Sequence, residues 1–167
     1  GTVLYDGRTT SMGIVSRIGE NASVIRSANM TASWKARKHP AELQGMQEAH
    51  LQDGAAVTAF LCWLEHAWKE GTWDEWSLGQ KLFEFRRERG GFIHESFSPI
   101  FGFRENGAVV HYSAKQGHAS LIDRRGLMII DSGGQYLGGT TDITRTVLFG
   151  EAKPEEIRDY TLVLKGH

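Results

Sequence analysis

Asp131 and Asp142 are the residues whose type and spacing point most directly to chemistry. The segment between them, Ser132-Gly133-Gly134-Gln135-Tyr136-Leu137-Gly138-Gly139-Thr140-Thr141, reads as a strand, a glycine-rich turn and a returning strand. Folding it about a centre between Tyr136 and Leu137 sets the two aspartates opposite each other. Directly opposed side chains on paired strands have Cβ atoms about 4.5–5.5 Å apart, and like charges there repel. Two carboxylates so placed need a positive charge between them, and one or two divalent metal ions are the simplest candidate. Either aspartate alone would read as a turn residue capping local backbone groups. A register slip of one residue would send one carboxylate to the other face.

The elements that must position this pair come before and after it. Over residues 40–69, Leu43, Met46, His50, Gly54, Val57, Leu61, Leu64 and Trp68 step by three or four and predict one long helix. Pro40 suits its first position and Gly71 ends it. Cys62, within it, reads as a small buried thiol. A second helix is predicted over 73–89, with Thr72 and Glu75 at capping-box spacing and Gly90-Gly91 as its stop. The run Phe85-Arg86-Arg87-Glu88-Arg89 reads as a solvated face. Ala108–Tyr112 reads as a short strand containing His111. Leu127-Met128-Ile129-Ile130 reads as a strand buried on both faces, with Asp131 at its end. Thr141–Phe149 is the returning strand, and Pro154-Glu155-Glu156 opens a last helix with Ile157, Tyr160 and Leu164 on one side. Residues 1–33 contain β-like runs at Thr2–Tyr5 and Ser23–Ile25 and read as the tail of a preceding domain and a linker. The order of elements predicts an α+β fold with helices on one face of an antiparallel sheet.

The 167 residues suffice for one domain with a core, and the net charge of −1 gives no argument for nucleic acid or an anionic membrane surface. No apolar run is long enough to span a bilayer. A single cysteine forms no internal disulfide and fits a reducing compartment. The chain starts at Gly1 and stops at His167 just after a predicted helix, so it reads as a piece of a longer protein.

The hairpin resembles the metal-binding hairpin of the pita-bread metallopeptidases, the family of methionine aminopeptidase, prolidase and aminopeptidase P. Three further stretches agree. Lys35-Ala36-Arg37-Lys38-His39-Pro40-Ala41-Glu42-Leu43-Gln44-Gly45-Met46 resembles the entry into the family's first long helix. Asn106-Gly107-Ala108-Val109-Val110-His111-Tyr112 resembles the strand carrying its active-site histidine, and Lys165-Gly166-His167 a run in a later helix. The wording of the hairpin fits the three-domain cytosolic aminopeptidase P better than prolidase. The resemblance covers about residues 34–167 and implies the N-terminal half of a pita-bread catalytic domain.

What the resemblance implies is an aminopeptidase that hydrolyses the bond before proline with a metal-bridged hydroxide, two divalent cations (Mn2+ expected) being held by two Asp, one His and two Glu. Asp131 and Asp142 would be two of the five ligands. His111 would not be a ligand; it would contact substrate near the scissile bond and stabilise charge or move a proton. Thr144, two residues after Asp142, would donate to the carboxylates from the same face. Arg145 and Tyr136 stay open between charge balance and packing, and His118 has no assigned role. The implied partner is a peptide with proline second, with no nucleic acid or membrane involved; the parent would be a cytoplasmic homodimer. A prolidase-type dipeptidase and a non-catalytic binding domain are the alternatives. The family's remaining His and Glu ligands lie beyond the hairpin, outside this chain. The isolated chain is therefore expected to be inactive, to bind metal weakly or not at all, and to self-associate.

Overall fold

The computed structural model describes residues 1–123 and 125–167, in two compact units, Gly1–Pro40 and Ala41–His167. In the first, β1 (Thr2–Tyr5) and β2 (Ser23–Arg26) pair in parallel, with Thr2 opposite Ser23. Parallel strands need a crossover. Helix α1 (Met12–Gly19) supplies it, from a stretch that had no clear period in the sequence. Asn29 caps α2 (Met30–Ala36) by accepting the Ala32 amide at 3.2 Å.

The second unit is built on α3 (Pro40–Glu70). Its buried face is Ala49, Asp53, Ala56, Val57, Phe60 and Leu64. That stripe is rotated from the predicted one: Leu43, Met46 and His50 are exposed, and so is Cys62. The apolar pattern misleads because a carboxylate, Asp53, occupies the centre of the buried face. Helix α4 (Glu75–Arg87) starts later than predicted. Its cap is Asp74, whose carboxylate accepts the Ser77 amide at 2.6 Å while the Ser77 hydroxyl accepts the Asp74 amide at 2.9 Å. Arg86, expected on a solvated face, is completely buried.

The strands are β3 (Phe92–Glu95), β4 (Ile100–Phe103), β5 (Gly126–Ser132), β6 (Gly134–Tyr136) and β7 (Ile143–Phe149). They form an antiparallel sheet in the order β4-β5-β7 and a separate antiparallel pair β3-β6. Helices α3 and α4 meet the larger sheet through Phe60, Leu64, Leu78, Leu82, Phe101, Met128 and Ile130. Phe60 stands edge-on to Phe101, with centroids 6.1 Å apart at 90°. This is the α+β arrangement expected. Strand β5 differs in one respect. It alternates: Met128, Ile130 and Ser132 are buried, while Leu127, Ile129 and Asp131 are only partly so. Asp131 therefore faces away from the helices and Ser132 towards them.

Residues 108–112 are not a strand. A 3-10 turn, Arg104–Ala108, follows β4, and His111 lies in the next turn with φ 56. Helix α5 (Pro154–Gly166) closes the unit with Ile157, Tyr160 and Leu164 exposed.

Candidate metal-binding hairpin

The register of the β5–β7 hairpin differs by two residues from the expected one. Asp131 pairs with Thr144 and Ser132 with Ile143. The bridge between Gln135 and Thr140 continues the same register towards the tip. Asp142 therefore lies diagonal to Asp131. Because strand faces repeat every two residues, the shift leaves both carboxylates on one face. Diagonal neighbours are about 7–8 Å apart, which leaves room for a cation between two carboxylates. The Thr144 hydroxyl donates to Asp131 Oδ1 at 2.8 Å, as its shared face predicted. Arg145 donates to the Thr144 carbonyl at 2.7 Å and balances neither carboxylate.

The turn is held shut by small residues and one serine. The Thr141 amide donates to the Gly134 carbonyl at 2.9 Å, and the Gly134 amide donates to Thr141 Oγ1 at 2.8 Å. Ser96 donates its amide to the Gly133 carbonyl at 3.0 Å and its hydroxyl to the Thr141 carbonyl at 2.9 Å. A Cβ on Gly133 would collide with that same carbonyl and hydroxyl, so only glycine fits. At the tip, a Cβ on Gly138 would sit 2.9 Å from the Cα of Gly45 in α3, so helix and turn touch backbone to backbone.

Beneath the hairpin lies a buried ion pair that the sequence reading missed. Arg86 Nε donates to Asp53 Oδ1 at 2.7 Å, and an Arg86 Nη donates to Asp53 Oδ2 at 3.2 Å. The same Nη reaches Ser132 Oγ at 3.1 Å. Asp53 also accepts the Tyr136 hydroxyl at 3.0 Å and the Thr141 hydroxyl at 2.6 Å. Ser132 follows Asp131 and Thr141 precedes Asp142. One ion pair, brought by two helices, thus anchors the chain neighbour of each aspartate. Tyr136 serves this network rather than the face that carries the aspartates. Burial, and then the Asp53 charge and hydrogen bond, push its hydroxyl well above the usual tyrosine range. A signal existed in the sequence. Asp53 lies four residues after Ala49 and four before Val57, and Arg86 continues Leu78 and Leu82 at intervals of four. A charge on a buried stripe demands a buried partner.

His111 is exposed and forms no hydrogen bond to either aspartate. The 3-10 turn that precedes it packs against the outer face of β5. A Cβ on Gly107 would lie 3.6 Å from the Ile129 side chain, which shares the face of Asp131. Among the described residues, neither Asp131 nor Asp142 is in an ion pair. Among the described residues, no group of three or more His, Cys, Asp or Glu converges to hold an ion. The donor set is two carboxylates on one face without a cation partner. Such hard oxygen donors fit a divalent cation.

The family model for the metallopeptidase family M24 matches residues 44–167. The chain belongs to this family. "Probable Xaa-Pro aminopeptidase P" of Paracoccidioides lutzii is 45% identical over 151 residues, covering 89% of this chain and 24% of the relative. The protein of the same description from Arthroderma gypseum is 41% identical over 152 residues, covering 90% and 24%. Aminopeptidase P2 of Arabidopsis thaliana is 44% identical over 137 residues, covering 81% and 19%. The M24 chain thus spans about a quarter of the length of these relatives. Among solved structures, the X-prolyl aminopeptidase of Caenorhabditis elegans aligns with a TM-score of 0.80 at 34% identity, over 87% of this chain and 24% of that one. That protein is described as a cytosolic enzyme with a di-nuclear active site. The X-Pro aminopeptidase of Thermotoga maritima aligns at 0.77 and 20% identity, over 98% and 44%, and shares the fold. The M24 chain carries part of the pita-bread fold.

Proposed function

We propose that this chain supplies the hairpin side of a two-metal site in an Xaa-Pro aminopeptidase. The observation that carries the reading is the pair of carboxylates, Asp131 and Asp142, in no ion pair among the described residues and on one face of a hairpin anchored by the Asp53–Arg86 ion pair. The relatives named Xaa-Pro aminopeptidase P support the choice of substrate. The C. elegans neighbour's di-nuclear site supports the metal count.

Bound divalent cations would supply a water of lowered pKa and stabilise negative charge on the scissile carbonyl. Asp131 would offer Oδ2, because Oδ1 already accepts the Thr144 hydroxyl. Asp142, which accepts no hydrogen bond among the described residues, would offer either oxygen. The buried ion pair fixes both carboxylates from the opposite side of the chain and lowers the cost of bringing like charges together. His111, three residues after the 3-10 turn that packs on the same face of β5, would touch the substrate near the scissile bond and hold or move a proton there.

The same reading makes Mn2+ the resident ion, the parent a cytoplasmic homodimer, and the first unit the end of a preceding domain. It also makes this chain inactive alone, two carboxylates being too few to hold a transition metal tightly. The test is hydrolysis of an Xaa-Pro-Xaa tripeptide and an Xaa-Pro dipeptide by the full-length protein with added Mn2+. Cleavage of the tripeptide, reduced at least ~10²-fold in Asp131→Asn, is the expected result. Cleavage of the dipeptide alone would replace the aminopeptidase with a dipeptidase, and cleavage of neither would end the reading.

A further inference from the structure

We infer that Glu75 is a positioning residue for His111, a single buried carboxylate that ties down both ends of the histidine loop. The inference rests on the peptidase reading above. Glu75 is the first residue of α4 and is completely buried. It is not the helix cap, since Asp74 and Ser77 fill that role. Its two oxygens accept four donors, all from outside the helix. Oε1 accepts the Phe103 amide at 2.7 Å and the Asn106 side-chain amide at 2.9 Å. Oε2 accepts the Tyr112 hydroxyl at 2.7 Å and the Ser120 amide at 2.9 Å.

These donors bracket the loop. Phe103 ends β4 and Ser120 lies where the chain returns towards α4; Asn106 and Tyr112 lie between. His111 is the immediate neighbour of Tyr112 and holds a positive φ of 56, a conformation uncommon for residues other than glycine, though less so for histidine than for most. The Tyr112 amide donates to the Val109 carbonyl at 3.2 Å and closes the turn around His111. A buried carboxylate is tolerated because every lone pair has a donor and because the N-terminus of α4 favours negative charge. The Tyr112 hydroxyl, held neutral by burial and by this bond, stays a donor at neutral pH.

Glutamine at 75 keeps the shape, but its NH2 cannot accept. Two of the four donors then face a donor. The experiment is a double-mutant cycle in the full-length protein: wild type, Glu75→Gln, His111→Ala and the pair, with kcat and KM on an Xaa-Pro peptide and Mn2+ titration by calorimetry. Glu75→Gln is expected to lower kcat by about 10²-fold, as a misplaced reacting group does, with Mn2+ affinity unchanged. In the His111→Ala background it is expected to have no further effect. Multiplying effects, or full activity of Glu75→Gln, overturn the inference. Where Glu75→Gln fails to fold, Tyr112→Phe replaces it, with a drop of about tenfold in the wild-type background and none beside His111→Ala. Wild-type protein without Xaa-Pro hydrolysis would refute the peptidase reading instead. Hydrogen exchange then decides the loop itself: Phe103 and Ser120 amides that stay protected in Glu75→Gln overturn the inference, and loss of their protection supports it.

Discussion

Thr144 donates to one oxygen of Asp131, and the second oxygen accepts no hydrogen bond among the described residues. That single bond was legible in the sequence, because residues two apart on a strand share a face. The buried tyrosines set a different property, the response to alkali. Burial first, and then the bond to Glu75, push the Tyr112 hydroxyl up to about 12. Tyr136 is raised as well, by burial and then by the Asp53 charge. An unfolded tyrosine ionises near ~10, so above that pH the unfolded state loses protons first. The stability these groups lend is fully present below about pH 10 and is lost as pH rises towards about 12. Tm should fall steeply across that window and less steeply in Tyr136→Phe. A wild-type Tm that stays flat would show that these hydroxyls are not shielded as described.

At the scale of elements, the Asp53–Arg86 pair joins α3 and α4 to both strands of the hairpin. Removing one member of a buried pair strands the other without compensation and costs about 3–5 kcal/mol. Asp53→Ala should lose about that much in urea unfolding, and metal affinity should fall with it because the hairpin loosens. A loss under ~1 kcal/mol would put the pair in the range of surface contacts. This network was also the least legible part of the sequence. Arg86 lies in a run of charges that masks its place on the Leu78–Leu82 stripe, and its partner is 33 residues away. The hairpin was legible as an element, but its centre was misplaced. Turn composition near Gly133-Gly134 and Gly138-Gly139 permits either register, and a shift of two preserves every face. The strand expected at 108–112 is a turn, in a loop that Glu75 holds through the Phe103 amide before it, the Ser120 amide after it and the Tyr112 hydroxyl within it. No local signal reports such a contact.

Over the whole chain, the fold class was legible because the helix periods over 40–69 and 73–89 precede the strand-like runs and the hairpin, the order expected of helices on one face of an antiparallel sheet. The exposed end of that pattern has a consequence. Ile157, Tyr160, Val163 and Leu164 on α5 are each more than half exposed, and β7 is an edge of its sheet. Apolar surface of this kind beside an open edge favours association. The chain by itself should elute from a sizing column as a concentration-dependent oligomer, and Ile157→Glu with Leu164→Lys should return it towards monomer. A monomer at all concentrations would contradict this. Metal titration of the full-length protein tests the role of the two aspartates without relying on turnover. Calorimetry should show about two Mn2+ bound per chain in the wild type. In Asp131→Asn with Asp142→Asn, affinity should fall at least ~10²-fold. An unchanged titration in that double variant would contradict the account.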